Sequence, residues 1–169
     1  MIAYLSGPIE NAHDDGAGWR NNITTWLGEK LAHSVFDPVL ETKSIIQKID
    51  SNDFRMMKSN DPIEYKKIIR EIIKLDLNAL VDEADYLIVN WDKAVFRGGG
   101  THGEVTMAYW LNKPVYMVNS LPMEDVSSWI FSCTDFVSDN FEELKEKLLF
   151  IRKKIIKDHE SLFLEQVEE

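Results

Sequence analysis

Cysteine is nearly missing from this chain: Cys133 is the only one in 169 residues. An intramolecular disulfide and a thiolate metal site are therefore excluded, and a reducing compartment is expected. Long apolar runs are missing too. Nothing approaches the roughly 18 consecutive apolar residues that span a bilayer. The opening "MIAYLSGPIE" has neither a basic leader nor an apolar core of signal-peptide length, so a cytoplasmic protein is expected. Basic residues are in short supply: 19 Lys and Arg stand against 29 Asp and Glu, a formal net charge of −10. A duplex-binding surface needs clustered cations to neutralise phosphates, so nucleic acid is not an expected partner, although a local basic spot could hold one small phosphate. His13, His33, His102 and His159 are scattered without metal-ligand spacing. No metal and no cofactor is expected. Repeats and low-complexity tracts are also lacking.

What is present suits one globular domain. Hydrophobic residues make up 44% and charged residues 28%, enough for a sizeable core at this length. Ile2 to Leu5 reads as a buried strand that stops at Ser6-Gly7-Pro8. A helix is expected from near Gly18 to Ala32, and "HSVFDP" is a second strand stopped by Pro38. Residues 39–62 mix apolar and charged types without clean periodicity, and form a partly helical excursion; connections that long are often functional. Asp61 and Pro62 then open a helix as N-cap and first residue. Its expected apolar stripe is Ile68, Ile69, Ile72, Ile73, Leu80 and Val81. "DYLIVNW" and "KPVYMVN" are continuous apolar strands, as in a sheet covered on both faces. "TDFVS" is a weak fifth strand after a short helix near 124–131. Residues 140–165 form a long amphipathic helix with Asn140 as N-cap.

Strands alternating with helices predict an α/β fold, a flavodoxin- or Rossmann-like three-layer sandwich with a five-stranded, mainly parallel sheet. Ligands of such sheets sit beyond the carboxyl ends of the strands, near the topological switch point. That rule selects 6–20, 91–104 and the residues after Asn119. Within them, "FRGGGTHGEVTMAYW" (96–110) stands out. Gly98, Gly99 and Gly100 permit close backbone approach to a ligand, and a helix starting at Thr101 would aim N–H groups at the same spot. The stretch is neither a P-loop nor a GxGxxG fingerprint. Thr101 and Glu104 have the spacing of a capping box. Glu104 has a second possible use, as a carboxylate nucleophile, kept ionised by the helix terminus. Asp76, Asp82, Asp85 and Asp92 are near enough in sequence to share its cleft. Residues alone leave the two roles open.

The ordered set "YLSGPI", "FDP", "DLNALVDEADYLIVNWD" and "GTHGEVTMAYWLNKPVYMV" resembles the nucleoside 2-deoxyribosyltransferase superfamily, including its nucleotide N-glycosidase branch. These pieces span about two thirds of the chain. The resemblance implies a single domain over 1–169 and a retaining double displacement at the N-glycosidic bond of a nucleoside or nucleoside 5′-monophosphate. Glu104 would attack the anomeric carbon, and Asp76, on the helix before the third strand, would act near the leaving base. Asp76 stands one residue farther from the strand-opening Asp85 than in the family pattern. Gly98 stands where many transferases carry an acidic sugar ligand, which leaves Asp92 to supply that contact. Ser6, Gly7 and Pro8 would line the sugar or phosphate end. Arg20 is a candidate ligand for a 5′-phosphate, and Trp91 the candidate to stack on the base. Of the remaining candidates, Tyr4 reads as core, His102 as exposed in the helix's first turn, and Asp14 and Asp15 as a solvated turn. Trp19, Trp26 and Trp110 read as core or interface. A homo-oligomer is also implied.

Two rival readings follow. "RGGGTHGE" partly resembles the Gly-Gly-x-Gly-Thr-x-x-Glu motif of Lonely-guy phosphoribohydrolases, with Arg97 in place of the first glycine. A sensor that binds nucleotides without turnover would use the same scaffold.

Overall fold

Each of the five apolar runs becomes a strand. The computed structural model describes residues 1–9, 12, 14, 16–46 and 54–165. Its strands are β1 (Ile2–Ser6), β2 (Ser34–Phe36), β3 (Tyr86–Trp91), β4 (Val115–Asn119) and β5 (Phe136–Ser138). They form one sheet in the order β2-β1-β3-β4-β5, and every pair is parallel. The connections leave β1 in one direction and return past it to β3. The topological switch point therefore lies between the carboxyl ends of β1 and β3, as in flavodoxin-like sheets.

Seven helices are described: α1 (Ala17–Leu31), α2 (Pro38–Ile46), α3 (Phe54–Asn60), α4 (Pro62–Asn78), α5 (Gly100–Trp110), α6 (Ser128–Ser132) and α7 (Phe141–Glu165). Alternation along the strands decides which helix covers which face. Ala3, Leu5, Ile88 and Val118 pack with Ile23 and Leu27 of α1 and Leu144 and Leu148 of α7. Tyr4, Leu87, Val89 and Met117 face the other way, toward Val105 and Ala108 of α5, Ile130 of α6 and Leu80. The result is the expected three-layer sandwich, with the sheet all parallel. No helix among the described residues is long and apolar enough to cross a membrane.

Local signals hold at the helix ends. The Asp61 side chain accepts from the Glu64 backbone N–H, with Pro62 opening α4. Asn140 accepts from the Glu143 N–H at 3.0 Å at the start of α7. The excursion contains α2 and α3, which pack on α4; residues 47–53 of it lie outside the described residues. The expected stripe on α4 needs correction. No residue of α4 is buried, and Ile73 is exposed. Most of α4 packs on α2 and α3, and only its end, at Leu75 and Leu77, reaches the core beside the sheet, so the isoleucine side is only half covered. Leu80 and Val81 belong to a separate π-helical turn, Ala79–Glu83, that follows α4. There Leu80 is fully buried and Val81 is exposed.

One cation ties the β1–α1 loop to β2. The Arg20 guanidinium donates to the Gly16 carbonyl at 3.0 Å and the Gly7 carbonyl at 2.9 Å. Its Nε lies 3.4 Å from Asp37 Oδ1, just past β2. Gly16 is required here. Its φ is +73°, and a Cβ would fall 2.1 Å from Arg20 Nη1. Asp37→Ala leaves a buried, unpaired cation, and is expected to lower unfolding free energy by about 3 kcal/mol. Urea denaturation with an unchanged m-value checks this.

Candidate active site

Parity on β1 puts Tyr4 and Ser6 on the same face, beside Leu87 and Val89 of β3. Helix α5 leaves β3 and crosses that face, pinned by buried Val105 and Ala108. Glu104 lies between those anchors and the helix start, and its carboxylate is held at both oxygens. The Tyr4 hydroxyl donates to Oε1 at 3.0 Å, and the Ser6 hydroxyl makes a short hydrogen bond to Oε2. The Tyr4 ring stacks on Phe36 at 5.2 Å between centroids, which fixes the hydroxyl. Burial and the Glu104 charge raise the Tyr4 phenol far above its ordinary range, so it remains a neutral donor.

The capping box does not form. Helix α5 begins at Gly100 with Gly99 as N-cap and no side-chain cap. Thr101 is buried inside the first turn. With Gly99 as N-cap, Glu104 lies more than a turn into the helix, out of reach of the capping box, and its carboxylate meets β1 instead. The expectation that the helix terminus keeps Glu104 ionised is also corrected. Burial raises its carboxyl above the ordinary value, against lowering by the Ser6 and Tyr4 hydrogen bonds and the Arg20 charge.

Asp76 sits in the last turn of α4 and feels the same site. Burial first, and the Glu104 charge second, push its carboxyl up to about 7. Its buried Oδ1 has no hydrogen-bond partner among the described residues. Two carboxylates thus share one neighbourhood. Glu104 has a hydroxyl donor on each oxygen, whereas the buried Oδ1 of Asp76 has no partner among the described residues, an asymmetry that favours the neutral form of Asp76.

A crevice of about 640 Å³ lies over the carboxyl ends of β1, β3 and β4, lined among others by Pro8, Asp14, Trp19, Asn90, Asp92 and Lys93. Glu104 is not part of that lining. The two meet through the end of β1: Ser6 bonds Glu104, and Pro8 lines the crevice. Gly7 lets the strand end close up, since a Cβ there would lie 3.0 Å from Trp19 and 3.2 Å from the Asn90 carbonyl. Asp92 accepts from the Ala94 N–H at 2.7 Å and opens the 3₁₀ turn Lys93–Arg97. Gly98, Gly99 and Gly100 are exposed, and a Cβ on any of them would meet nothing within 4 Å. No contact within the described chain requires glycine there; the ground before α5 is open.

Several expected positions move. Trp91 is 1% exposed and packs edge-on against His102, centroids 4.8 Å apart. It offers no face to a base, and His102 rests on it instead of in solvent. Arg20 is 0% exposed, and its nitrogens are committed to Gly7, Gly16 and Asp37, so it is a clasp and not an available phosphate ligand. Asp14 is exposed but ordered, accepting from the N–H groups of Gly16 and Gly18 at 3.0 and 2.7 Å. His13, Asp15 and the side chain of His159 lie outside the described residues. Trp110 is 78% exposed. Among the described residues, no group of three or more His, Cys, Asp and Glu could hold a metal ion. Sequence reasoning missed Tyr4 as a partner of Glu104 and Trp19 as a wall of the crevice. The two-residue step from Ser6 back to Tyr4 was the available signal for the first.

With this geometry in place, comparison with solved structures is informative. One similar structure is a 2-deoxyribosyltransferase from the psychrotolerant bacterium Bacillus psychrosaccharolyticus, characterised as a biocatalyst for nucleoside synthesis. The match has a TM-score of 0.60 at 16% identity, and covers 86% of this chain and 90% of that one. The chain has the fold of that 2-deoxyribosyltransferase. No protein-family model and no curated protein matches the sequence.

The raised Asp76 carboxyl has a consequence for stability. Its folded state holds a proton that the unfolded state releases near 3.8. Stability is therefore lost as pH rises from about 4 through about 7, and the loss is constant above that. Asp76→Asn should raise stability at pH 8 by roughly 2 kcal/mol, after discounting for partial solvent screening. The gain should vanish toward pH 4. Thermal unfolding of both proteins across that range measures it.

Proposed function

We propose that the protein is an enzyme that cleaves or transfers at the N-glycosidic bond of a nucleoside, with Glu104 as nucleophile and Asp76 as general acid. The observation that carries the reading is the divided carboxylate pair. Glu104 is oriented by two hydroxyl donors on a rigid strand. Asp76 keeps its proton to about pH 7. Pairs of carboxyls pushed to different protonation states mark acid and nucleophile assignments. The crevice beside Pro8 offers room for a nucleoside, and the likeness to a solved 2-deoxyribosyltransferase supports that substrate.

The chemistry balances on these groups. A Glu104 oxygen attacks the anomeric carbon as the carbon–nitrogen bond breaks. The bonding pair goes to the base nitrogen, and the Asp76 proton neutralises the departing base. A glycosyl ester remains on Glu104. An acceptor base or water then attacks the same carbon, the ester bond breaks, and Asp76 takes up the acceptor's proton. The Tyr4 and Ser6 hydroxyls hold the carboxylate against rotation in both halves. Asp92 supports the sugar, and open ground at Gly98 to Gly100 admits the ring. Self-association is part of this proposal; Trp110 and Trp129, 78% and 69% exposed, border an apolar groove between α5 and α6 of the kind that marks protein contacts.

The test is base release or exchange, followed by chromatography, with nucleosides incubated with and without an acceptor base. Glu104→Gln should reduce turnover at least about 10³-fold with the fold intact. Asp76→Asn should cost about 10²-fold or more. In the wild type, kcat/KM should fall as pH rises through about 7, because the acid must be protonated, and this limb belongs to the pair. The limb should be missing in Asp76→Asn. Tight nucleoside binding with no release in any pairing would instead make the protein a sensor.

A further inference from the structure

The helices that carry the two carboxyls end close together, at the amino ends of β3 and β4 and away from the crevice. Helix α4 passes into the π-helical turn Ala79–Glu83 and then into β3. Helix α5 passes through Asn112, at φ +55°, and Lys113 into β4. One side chain joins the two ends. Lys113 Nζ donates to the Val81 carbonyl at 3.0 Å and to the Ala84 carbonyl at 2.6 Å. Its own backbone N–H donates to the Ala108 carbonyl at 2.9 Å. Ala108 is buried in the same cluster as Ala79, Leu80 and Ala84. The final carbonyls of a helix have no donor within it, and a cation there also meets the negative end of the helix dipole.

The clasped turn sets the direction in which Asp76 points. The Ala84 N–H closes on the Ala79 carbonyl at 2.9 Å, a step of five residues where an α-helix takes four. In an α-helix the Val81 carbonyl would accept from the Asp85 N–H. That N–H is given to the Ile2 carbonyl of β1 at 2.8 Å, and Lys113 takes its place. Without Lys113 the Val81 carbonyl would compete for the Asp85 N–H and pull the turn toward α-helical bonding. That change would shift the phase of α4 against β3 by about one residue, roughly 100°. Asp76 lies three residues before the turn, so the rotation would swing its carboxyl away from Glu104.

We propose that Lys113 is a positioning residue: it holds the π-helical turn to the end of α5, and so keeps Asp76 aimed at Glu104. The proposal rests on the catalytic reading of that pair given above. Lys113 does not line the crevice, so its effect falls on the chemical step and not on substrate binding.

The experiment compares three variants with the wild type. Lys113→Met keeps the length of the stem and removes the donors. Lys113→Gln is too short to reach both carbonyls. Lys113→Arg keeps a cation with several donors. Melting curves confirm that each is folded at the assay temperature. In Lys113→Met and Lys113→Gln, base release should fall at least about tenfold in kcat, with KM for the nucleoside within about twofold. An NMR titration of the isotope-labelled Asp76 carboxyl should show its midpoint fall from about 7 by about one pH unit, as it leaves the Glu104 charge. Lys113→Arg should keep the wild-type midpoint and at least about half of kcat. An unchanged kcat and midpoint in both donor-poor variants overturns the proposal while Glu104-dependent release still stands. So does a fall in kcat with an unchanged midpoint, or one that Lys113→Arg shares in full, since a plain role in stability gives either. No base release by the wild type beyond that of Glu104→Gln overturns the catalytic reading and this proposal with it.

Discussion

Both oxygens of the Glu104 carboxylate are held by hydroxyls on one strand, and most of the fold can be understood as what makes that possible. Tyr4 and Ser6 share a face only because β1 is regular over Ile2–Ser6. Helix α5 crosses that face only because β3 lies directly beside β1, in the register that sets Ser6 opposite Val89. With β2 between them, the hydroxyls and the carboxylate would be a strand spacing too far apart, about 4.8 Å. The switch in chain direction that puts β3 next to β1 also opens the crevice beyond their ends. Geometry of the carboxylate and space for a ligand thus have one topological cause.

The electrostatics follow from an unequal distribution of donors. Burial raises both Glu104 and Asp76 above their ordinary values. Glu104 recovers part of that cost through Ser6, Tyr4 and the positive charge of Arg20. Asp76 has a buried oxygen without a partner among the described residues, and the Glu104 charge adds to its burden. Adding a donor beside Asp76 would equalise the pair and lose the proton at neutral pH. The unmet hydrogen bond on Asp76 is therefore what the proposed acid role would require, a cost in stability at the place where that chemistry would gain from it.

Much of this was legible in sequence, and the boundary is instructive. Strands β1, β3 and β4 are continuous apolar runs, and Asp61-Pro62 and Asn140 are caps read from adjacent residues. Such signals are local. The Thr101–Glu104 spacing was equally local and misled, because a start at Gly100 with Gly99 as N-cap puts both residues inside the helix and neither in a capping position. Arg20, Trp91 and the α4 isoleucines failed for a shared reason. Whether a side chain is sealed in, stacked or left half covered depends on which element arrives from elsewhere in the chain, and periodicity does not report that. Arg20 is a residue type seldom fully buried, yet the Gly7 and Gly16 carbonyls and Asp37 converge on it from three segments. No pattern near position 20 announces those partners.

The β1–α1 loop shows what this self-sufficiency costs and gains. Its cation is satisfied by two carbonyls and Asp37, and its exposed Asp14 by two backbone N–H groups. Where the described groups Arg20 and Asp14 take their partners from Gly7, Gly16, Gly18 and Asp37, no ligand is needed to hold those contacts, so that part of the wall stands before any substrate arrives. Preorganisation of that kind lowers the entropy lost on binding. It also removes the strongest anchors, since an arginine and a helix terminus turned inward cannot grip an anion. A ligand in that crevice would then take its affinity from shape, from neutral hydrogen bonds and from the half-buried Trp19 on the wall, because an arginine and a helix terminus that are already partnered offer it no charge.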